Sequence, residues 1–236
     1  MKVIILAGGL GTRISEETVD KPKPMVLIDD KPILWHIMSV YAQYGFREFI
    51  VAAGYKGEVI ANWVDRLRTD WEIRTIDTGV NTQTGGRIKK CMEVLPGERV
   101  MATYGDGLGN INIPESLKFH EKNKKLATVT AVRPPARFGY LEIENGQVLN
   151  FGEKNQSDTG WINGGFFILE PEVCKLIKSY EEPLETEALP ILTKAGQLGA
   201  FKHSGFWQPM DTLRERNNLK KLVAEKTPPP WLNILS

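Results

Sequence analysis

Short apolar runs alternate with longer amphipathic stretches through the first half of the chain. Residues 1–6 and 49–53 are apolar, β-branched and of strand length, and residues 32–44 between them carry apolar side chains at helical spacing. A strand, a helix and a second strand in this order predict a βαβ unit, because parallel strands need a crossover connection. The pattern therefore predicts an α/β fold with a mainly parallel sheet.

The same alternation continues, with a change of texture in the second half. Residues 138–143 and 147–151 flank an Asn-Gly pair at 145–146, which is a hairpin signal. We expect such antiparallel additions to form a wall over the ligand edge of a mixed, mainly parallel, Rossmann-like sheet. The further predicted strands are 71–77, 99–104, 127–132 and 199–203, and the further predicted helices are 59–68, 88–94, 115–123, 171–180 and 185–196.

Length and composition indicate one folding unit without a global electrostatic bias. The chain has 236 residues, 42% of them apolar, which suffices for a sizeable core. Thirty basic against 29 acidic residues give no support to binding of nucleic acid or a charged membrane surface. We expect a single domain over 1–236, with a first part at about 1–132, a second part at about 133–212 and a C-terminal helix and tail at 213–236.

Cysteine usage and hydropathy predict a cytoplasmic protein. Cys91 and Cys174 have no metal-ligand spacing, which suits two small core thiols in a reducing compartment. No apolar run approaches the roughly 20 residues that span a bilayer, and the N-terminus is unlike a signal peptide. The three histidines, His36, His120 and His203, share no ligand spacing and are predicted to be structural. Residues 227–230 are the one linker-like segment.

The first strand leads into a loop suited to binding a polyphosphate. Gly8, Gly9 and Gly11 lack Cβ atoms, so successive backbone N–H groups can approach an anion closely. Arg13 adds a cation, and the Lys-Pro-Lys-Pro sequence at 21–24 adds two more on a chain stiffened by proline. A tight glycine turn without a ligand is the structural alternative. The spacing matches neither a P-loop nor the G-x-G-x-x-G motif of dinucleotide-binding folds.

A second glycine-containing loop, residues 81–87, follows the strand predicted at 71–77. Ligands bind at the carboxyl ends of strands in open α/β sheets. Thr82, Thr84, Arg87 and the glycine N–H groups are therefore candidates for hydrogen bonds to the edge of a pyrimidine. The alternative is an ordinary capping turn in which Thr84 or a neighbour satisfies the helix N–H groups.

Asp106 stands between two glycines at the end of the strand predicted at 99–104. A carboxylate with this much room suits a hard divalent cation, which prefers oxygen ligands. Aspartate is also common in turns, where its side chain bonds to nearby backbone, so the isolated Gly-Asp-Gly pattern leaves both interpretations open.

Several of these stretches resemble one enzyme family. LAGGLGTR at 6–13 followed by KPKPM at 21–25 resembles the signature of the sugar-1-phosphate nucleotidylyltransferases. SEET at 15–18, KPMV at 23–26 and KPILWHIM at 31–38 are most similar to its glucose-1-phosphate cytidylyltransferase branch. The resemblance covers nearly the whole chain. It departs between Lys56 and Asp77, where family members are longer, and at Asn155, where they commonly have proline.

The resemblance implies magnesium-dependent transfer of a cytidylyl group from CTP to a sugar 1-phosphate, by a homo-oligomer. It implies that Asp106 and Asp211 bind magnesium, which requires their two carboxylates to lie close together. For Asp211, a helix N-cap is the structural alternative. Catalysis is implied for Arg13, Lys23, Asp106 and Asp211; nucleotide binding for Leu6, Ala7, Gly8, Gly9, Gly11, Thr12, Arg13, Lys23, Thr82, Thr84, Gly86, Arg87 and Gly105; and sugar-phosphate binding for Gly139, Glu153, Lys154, Asn163 and Gly164.

Two other functions fit the same residues. The first is a nucleotidylyltransferase with another donor, UTP or dTTP, or with another phosphorylated acceptor. The second is a catalytically silent regulatory module that binds nucleotide at the same loop. The joint presence of Arg13, Lys23, Asp106 and Asp211 argues against the silent module.

Overall fold

A computed structural model of the chain describes residues 1–134, 139–144, 147–153 and 160–232. Its strands are β1 Val3–Ala7, β2 Leu27–Ile28, β3 Lys31–Pro32, β4 Glu48–Ala53, β5 Glu72–Asp77, β6 Val100–Tyr104, β7 Gly107–Gly109, β8 Ala127–Val132, β9 Gly139–Glu144, β10 Gln147–Glu153, β11 Ile162–Asn163, β12 Phe167–Leu169, β13 Leu198–His203 and β14 Trp207–Pro209. Its α-helices are α1 Ser15–Thr18, α2 Ile33–Ala42, α3 Gly57–Arg66, α4 Thr84–Glu93, α5 Ile113–Asn123, α6 Val173–Leu176, α7 Ala188–Lys194 and α8 Leu213–Glu225. Short 3-10 helices cover Thr12–Ile14, Lys23–Met25 and Pro230–Leu232.

The central sheet is mixed and mainly parallel, which confirms the predicted fold class. The strand order is β13, β8, β12, β6, β1, β4, β5, and β11 pairs with β8 beside β12. β1 runs parallel to β4 and β6, β4 to β5, and β8 to β13, whereas β12 is antiparallel to both of its neighbours. The loops after β1, β5 and β6 therefore emerge at one edge of the sheet.

Both faces of the sheet are covered, as expected for parallel strands. β1 shows this directly, because alternate side chains enter different cores: Val3 and Ile5 one, Ile4 and Leu6 the other. α2 and α3 contribute to the first core, and α4 and α7 to the second. β1 is consequently buried on both faces, and its carboxyl end is firmly held.

Several predicted boundaries need correction. α4 begins at Thr84, not 88, so the glycines of the predicted loop belong to the first turn of the helix. α7 begins at Ala188, and only Val173–Leu176 of the helix predicted at 171–180 forms. The predicted hairpin is present as antiparallel β9 and β10, with its Asn-Gly tip outside the described residues.

The proline-rich segment at 227–230 does not lead away from the domain. The Trp231 side chain after it is fully buried, and its indole Nε1–H donates to His36 Nδ1 at 3.3 Å. Its ring also packs against Phe206, with the ring centroids 5.8 Å apart. The segment therefore ends in a core anchor that the sequence prediction missed.

All three histidines and one cysteine are buried as structural groups. His36, His120 and His203 are each hydrogen-bonded within the protein, and Cys91 is fully buried while Cys174 is partly exposed. Burial raises the pKa of the Cys91 thiol to about 12, so the thiol stays protonated near neutral pH. In the part of the chain that the structure describes, no helix has the length and apolarity to cross a bilayer.

Candidate functional site

The two distant aspartates are brought together by a short antiparallel pairing. β14 pairs with β7, with Pro209 opposite Gly107. The Met210 N–H then donates to the backbone oxygen of Asp106 at 2.8 Å. Asp106 and Asp211 are therefore adjacent in space, at the edge of the sheet where β1 and β6 end.

One ammonium group lies between the two carboxylates. Lys23 Nζ is 2.6 Å from Asp106 Oδ2 and 2.6 Å from Asp211 Oδ1, and the lysine side chain is only 9% exposed. Arg13 Nη1 lies 2.6 Å from Asp211 Oδ2, while the Arg13 side chain is 70% exposed. The four residues predicted as catalytic thus form one cluster of two cations and two anions.

The glycine loop reaches this cluster because of its backbone conformation. Gly11 has φ +68°, in the left-handed region that favours glycine, and a Cβ there would lie 3.1 Å from Lys23 Cβ. Gly9 is exposed, and a Cβ there would meet nothing within 4 Å. Thr12 and Arg13 open the following 3-10 helix and are exposed. The loop therefore offers open backbone at Gly9 beside a closely packed Gly11.

Three residues implied to bind nucleotide, Leu6, Ala7 and Gly105, lie at the ends of strands and are buried. Leu6 and Ala7 end β1, and the Leu6 carbonyl accepts the Gly105 N–H at 2.9 Å. A Cβ on Gly105 would lie 2.5 Å from that same carbonyl oxygen. Gly105 is thus required by the close approach of β6 and β1, and its N–H is already occupied.

Arg87 donates hydrogen bonds from its side chain to backbone carbonyls around the site. Its side chain is 4% exposed, and its guanidinium donates to the Gly8 carbonyl at 3.0 Å and to the Gly79 carbonyl at 2.9 Å. It also donates to the carbonyls of Ala53 and Val80 and to the Thr78 hydroxyl. Burial lowers the pKa of this guanidinium, which nevertheless stays protonated because arginine is so basic.

This arrangement places a buried positive charge at the carboxyl ends of three parallel strands. Gly8 and Gly54 make room for it, because a Cβ on either residue would come within 2.6 Å of Arg87 Nη1. Through its hydrogen bonds, the guanidinium connects the carboxyl ends of strands β1, β4 and β5 under the glycine loop. It therefore both fixes the loop and favours an anion above it.

The other predicted nucleotide-binding residues of this segment also have partners within the protein. The Thr82 hydroxyl donates to the Thr78 carbonyl, and the Thr84 hydroxyl donates to Glu185 Oε2 at 2.6 Å. The Gly86 N–H donates to the Glu182 carbonyl at 3.2 Å. Thr84 is not the cap of α4, because Gln83 is the N-cap residue and makes no side-chain cap bond. Carbonyls from the segment before α7 satisfy this helix end instead.

The residues implied for the sugar phosphate lie on β9 to β11 and the turn after them. Gly139 and Glu153 are cross-strand partners at the open end of the hairpin. Asn163 is exposed, and its Nδ2 donates to the Tyr104 hydroxyl at 2.8 Å. Gly164 is buried, with its N–H bonded to the Thr130 carbonyl. Lys154 lies outside the described residues.

The alternative role for Asp211 as a helix N-cap is wrong. The N-cap of α8 is Thr212, whose hydroxyl accepts the Glu215 N–H, and the Glu215 carboxylate in turn accepts the Thr212 N–H, which completes a capping box. Glu215 also accepts the Asp211 N–H at 2.7 Å. The Asp211 carboxylate is consequently left free of the helix end and points to Lys23 and Arg13.

Sequence reasoning missed two polar residues in this region, Tyr104 and Glu185. The Tyr104 hydroxyl donates to Glu185 Oε1 at 2.6 Å. Burial, together with the nearby Glu185 carboxylate, raises the pKa of the Tyr104 phenol. The position of Tyr104 at the carboxyl end of β6 was an available signal. Glu185 gave none, because it stands among other acidic residues that look like a solvated surface.

Comparison with known proteins assigns the chain to a family. Residues 2–212 match the nucleotidyl transferase family. The chain is 47% identical to a glucose-1-phosphate cytidylyltransferase of Salmonella typhi, over 98% of each chain. It is 41% identical to a probable glucose-1-phosphate cytidylyltransferase of Bacillus subtilis, over 94% of this chain and 96% of that one. The crystal structure of HddC from Yersinia pseudotuberculosis superposes with a TM-score of 0.74 at 25% identity, covering 93% of this chain and 98% of that one.

The alignment with the Salmonella typhi protein also shows that this chain is shorter. It spans 254 positions, more than the 236 residues of this chain, so the relative has residues without a counterpart here. A family match over most of the chain, with relatives this similar along their whole length, leaves no ambiguity about descent. The chain belongs to the nucleotidyl transferase family and is a nucleotidyltransferase.

Proposed function

We propose that this enzyme transfers the cytidylyl group from CTP to a sugar 1-phosphate, α-D-glucose 1-phosphate in the first instance, giving CDP-glucose and pyrophosphate. The observation that carries the proposal is the convergence of Lys23, Asp106 and Asp211 beside the glycine loop. The choice of CTP and glucose 1-phosphate is supported by the names of the two relatives of 47% and 41% identity.

The two aspartates fit a magnesium ion. Their carboxylate oxygens each lie 2.6 Å from one Lys23 nitrogen, so they already converge on a single cationic centre. Hard oxygen donors are what magnesium prefers, and it commonly uses one or two carboxylates with substrate phosphates completing its shell. Within the described ranges, no group of three or more acidic, histidine or cysteine side chains offers a different metal site. When bound, the ion would neutralise charge on the α-phosphate.

The remaining work falls to residues of this chain. Open backbone at Gly9 and the exposed Arg13 would hold the triphosphate, and Lys23 would neutralise charge on the leaving pyrophosphate. A phosphate oxygen of the acceptor would form a bond to the α-phosphorus while the bond from that phosphorus to the bridging oxygen breaks. No general base is required, since a phosphate dianion is already a nucleophile at neutral pH.

The sugar would lie against β11 and the hairpin. Asn163 is exposed on β11, and Gly139 and Glu153 face each other across β9 and β10. These positions, with Lys154, are our candidates for binding the sugar hydroxyls and phosphate.

Location in the cytoplasm and assembly into a homo-oligomer remain predictions. Light scattering of the purified protein tests the latter.

Pyrophosphate release with a matrix of substrates tests the proposed function. CTP, UTP, dTTP and GTP would each be combined with glucose 1-phosphate, mannose 1-phosphate and other phosphorylated acceptors. We expect CTP with glucose 1-phosphate to be the best pair, and chelation of divalent metal to abolish its turnover. Turnover with another donor but not CTP contradicts the cytidylyl assignment, and tight CTP binding without turnover on any acceptor favours the silent module. GTP and mannose 1-phosphate are included because a mannose-1-phosphate guanylyltransferase of Xenopus tropicalis is 30% identical.

A further inference from the structure

Glu185 connects three elements that surround the proposed active site. Its Oε2 accepts the Thr84 hydroxyl at 2.6 Å, at the first residue of α4. Its Oε1 accepts the Tyr104 hydroxyl at 2.6 Å, at the end of β6 and two residues before Asp106. Tyr104 in turn accepts from Asn163 on β11 at 2.8 Å. None of the sequence-predicted roles involves Glu185.

The direction of every hydrogen bond in this network is determined. An ionised carboxylate only accepts, so Tyr104 must donate its single proton to Glu185. The Tyr104 oxygen can then only accept, and the donor it faces is Nδ2 of Asn163. Oδ1 of Asn163 accepts the Gly165 N–H at 2.8 Å, which agrees with this orientation of the amide. Glu185, acting through Tyr104, and the Gly165 N–H therefore together fix which way the Asn163 amide points.

The fixed amide retains a defined hydrogen-bonding capacity. Asn163 uses one of its two N–H groups on Tyr104 and one lone pair on Gly165, so one N–H and one lone pair remain. A sugar hydroxyl both donates and accepts, and it complements this remaining pair. A phosphate oxygen, which only accepts hydrogen bonds, would use the remaining N–H group and leave the lone pair without a partner.

The scaffold holds these groups rigidly. Gly165 has φ +77°, and a Cβ there would lie 2.9 Å from the Tyr104 ring, so the turn after β11 packs directly on the tyrosine. The Tyr104 ring also lies edge-on to Phe167, with the ring centroids 5.7 Å apart. On the other side, Thr84 is held by the Leu184 N–H, which donates to its hydroxyl at 2.9 Å.

We infer that Glu185 is a positioning residue for the acceptor: it orients the Asn163 amide, through Tyr104, toward a hydroxyl group of the sugar. This inference rests on the proposed function. The Thr84 hydroxyl already donates its proton to Glu185 and accepts the Leu184 N–H, so it has no proton left to donate to the nucleotide. Loss of the Glu185 charge should therefore affect the acceptor more than CTP.

The isosteric variant Glu185→Gln tests the inference. Its amide cannot accept from both hydroxyls, so either Thr84 loses its acceptor or Tyr104 must reverse its proton and turn the Asn163 amide. We expect KM for glucose 1-phosphate to rise about tenfold, as for the loss of one oriented hydrogen bond, and KM for CTP to change less than about twofold. Glu187→Gln is the matched control, because Glu187 is exposed and its side chain caps no helix.

A double mutant shows whether Glu185 acts through the tyrosine. Tyr104→Phe removes the relay hydroxyl, and we expect it to raise KM for glucose 1-phosphate by a similar factor. Adding Glu185→Gln to that background should then raise it no further, because residues acting in one chain are not additive. Independent, multiplying effects of the two substitutions would overturn the relay.

A readout without turnover separates this inference from the proposed function. The side-chain amide signal of Asn163 in a 15N-labelled sample should shift in Glu185→Gln and stay in place in Glu187→Gln. Absence of transfer by the wild-type enzyme with every substrate pair contradicts the proposed function, while the amide signal still tests the network. An unmoved amide signal, an unchanged acceptor KM, or equal rises in both KM values with a lowered melting temperature would each overturn the positioning role.

Discussion

Two glycine-rich segments stand at the same edge of the sheet, one after β1 and one at the start of α4, and they use glycine differently. A Cβ on Gly9 would meet nothing within 4 Å, whereas a Cβ on Gly86 would lie 2.0 Å from the Tyr180 carbonyl oxygen. At Gly9 the missing side chain leaves space open, although Gly8 and Gly11 of the same segment are closely packed, whereas at Gly86 the protein's own backbone fills that space. The same residue type after a strand therefore has two physical causes.

The arginine of each segment differs in the same way. Arg13 is 70% exposed and contacts one carboxylate, while Arg87 is 4% exposed and donates only to backbone carbonyls and a threonine hydroxyl. A solvent-facing guanidinium can turn to a ligand at little cost in stability. A buried one, whose partners have no water to replace it, belongs to the fold.

Replacing the buried arginine should have the largest effect. We expect Arg87→Met to lower the free energy of unfolding by about 3 to 5 kcal/mol, because several buried carbonyls lose their donor at once. Urea denaturation followed by circular dichroism measures this. Arg74→Met is the control, since Arg74 is an exposed residue of edge strand β5. Equal stabilities of the two variants would contradict the difference drawn between the two segments.

Replacing the exposed arginine should impair catalysis and leave the free energy of unfolding nearly unchanged. We expect Arg13→Met to lower kcat about a hundredfold or more through loss of charge stabilisation on the triphosphate, with the unfolding free energy changed by less than about 0.5 kcal/mol. Steady-state pyrophosphate release and urea denaturation of the same sample measure both. A stable variant with unchanged kcat would remove Arg13 from the proposed mechanism.

The glycines offer a matched pair of methyl additions. Gly86→Ala should destabilise the protein by about 1 to 3 kcal/mol, because the Tyr180 carbonyl must move away, although alanine normally favours a helix over glycine. Thermal unfolding of this variant measures the effect. Gly160→Ala is the control, since Gly160 is exposed and has no atom within 4 Å of its ideal Cβ. An unchanged melting temperature would show that the segment from Tyr180 adjusts freely.

The smallest effect is expected in the open loop. Gly9→Ala should leave the melting temperature unchanged and raise KM for CTP about tenfold, because the added methyl group stands where a phosphate would approach the backbone. Initial-rate measurements at saturating acceptor give the value. If KM for CTP stays at the wild-type value, the triphosphate does not pass over this glycine.

Much of the fold was predictable because its signals are local. The spacing of the apolar residues predicted β8 with both of its ends at the observed residues, and it predicted α5 to within two residues. Predictions failed where packing from a distant segment decides the outcome. α4 begins earlier than predicted because the carbonyls of Tyr180 and Glu182 accept the N–H groups of Gln83, its N-cap residue, and Gly86, and no local sequence pattern indicates these contacts.

The site divides in the same way. The motifs around Arg13, Lys23, Asp106 and Asp211 were visible in the sequence together with their chemistry, and the structure brings all four together. For Arg87 the sequence suggested a hydrogen bond to the base, whereas in the structure its guanidinium lies among backbone carbonyls. Glu185 could not be found at all, since its neighbours in sequence are acidic and its partners are 81 and 101 residues away.

By itself the sequence determined the α/β architecture, the family and the charged residues that could act on a triphosphate, because these depend on periodicity and on short contiguous motifs. Only the tertiary structure decided which glycines leave space and which are filled, and which arginine faces solvent. The physical reason is that a side chain's role follows from what surrounds it. In this protein those surroundings come from segments far away along the chain.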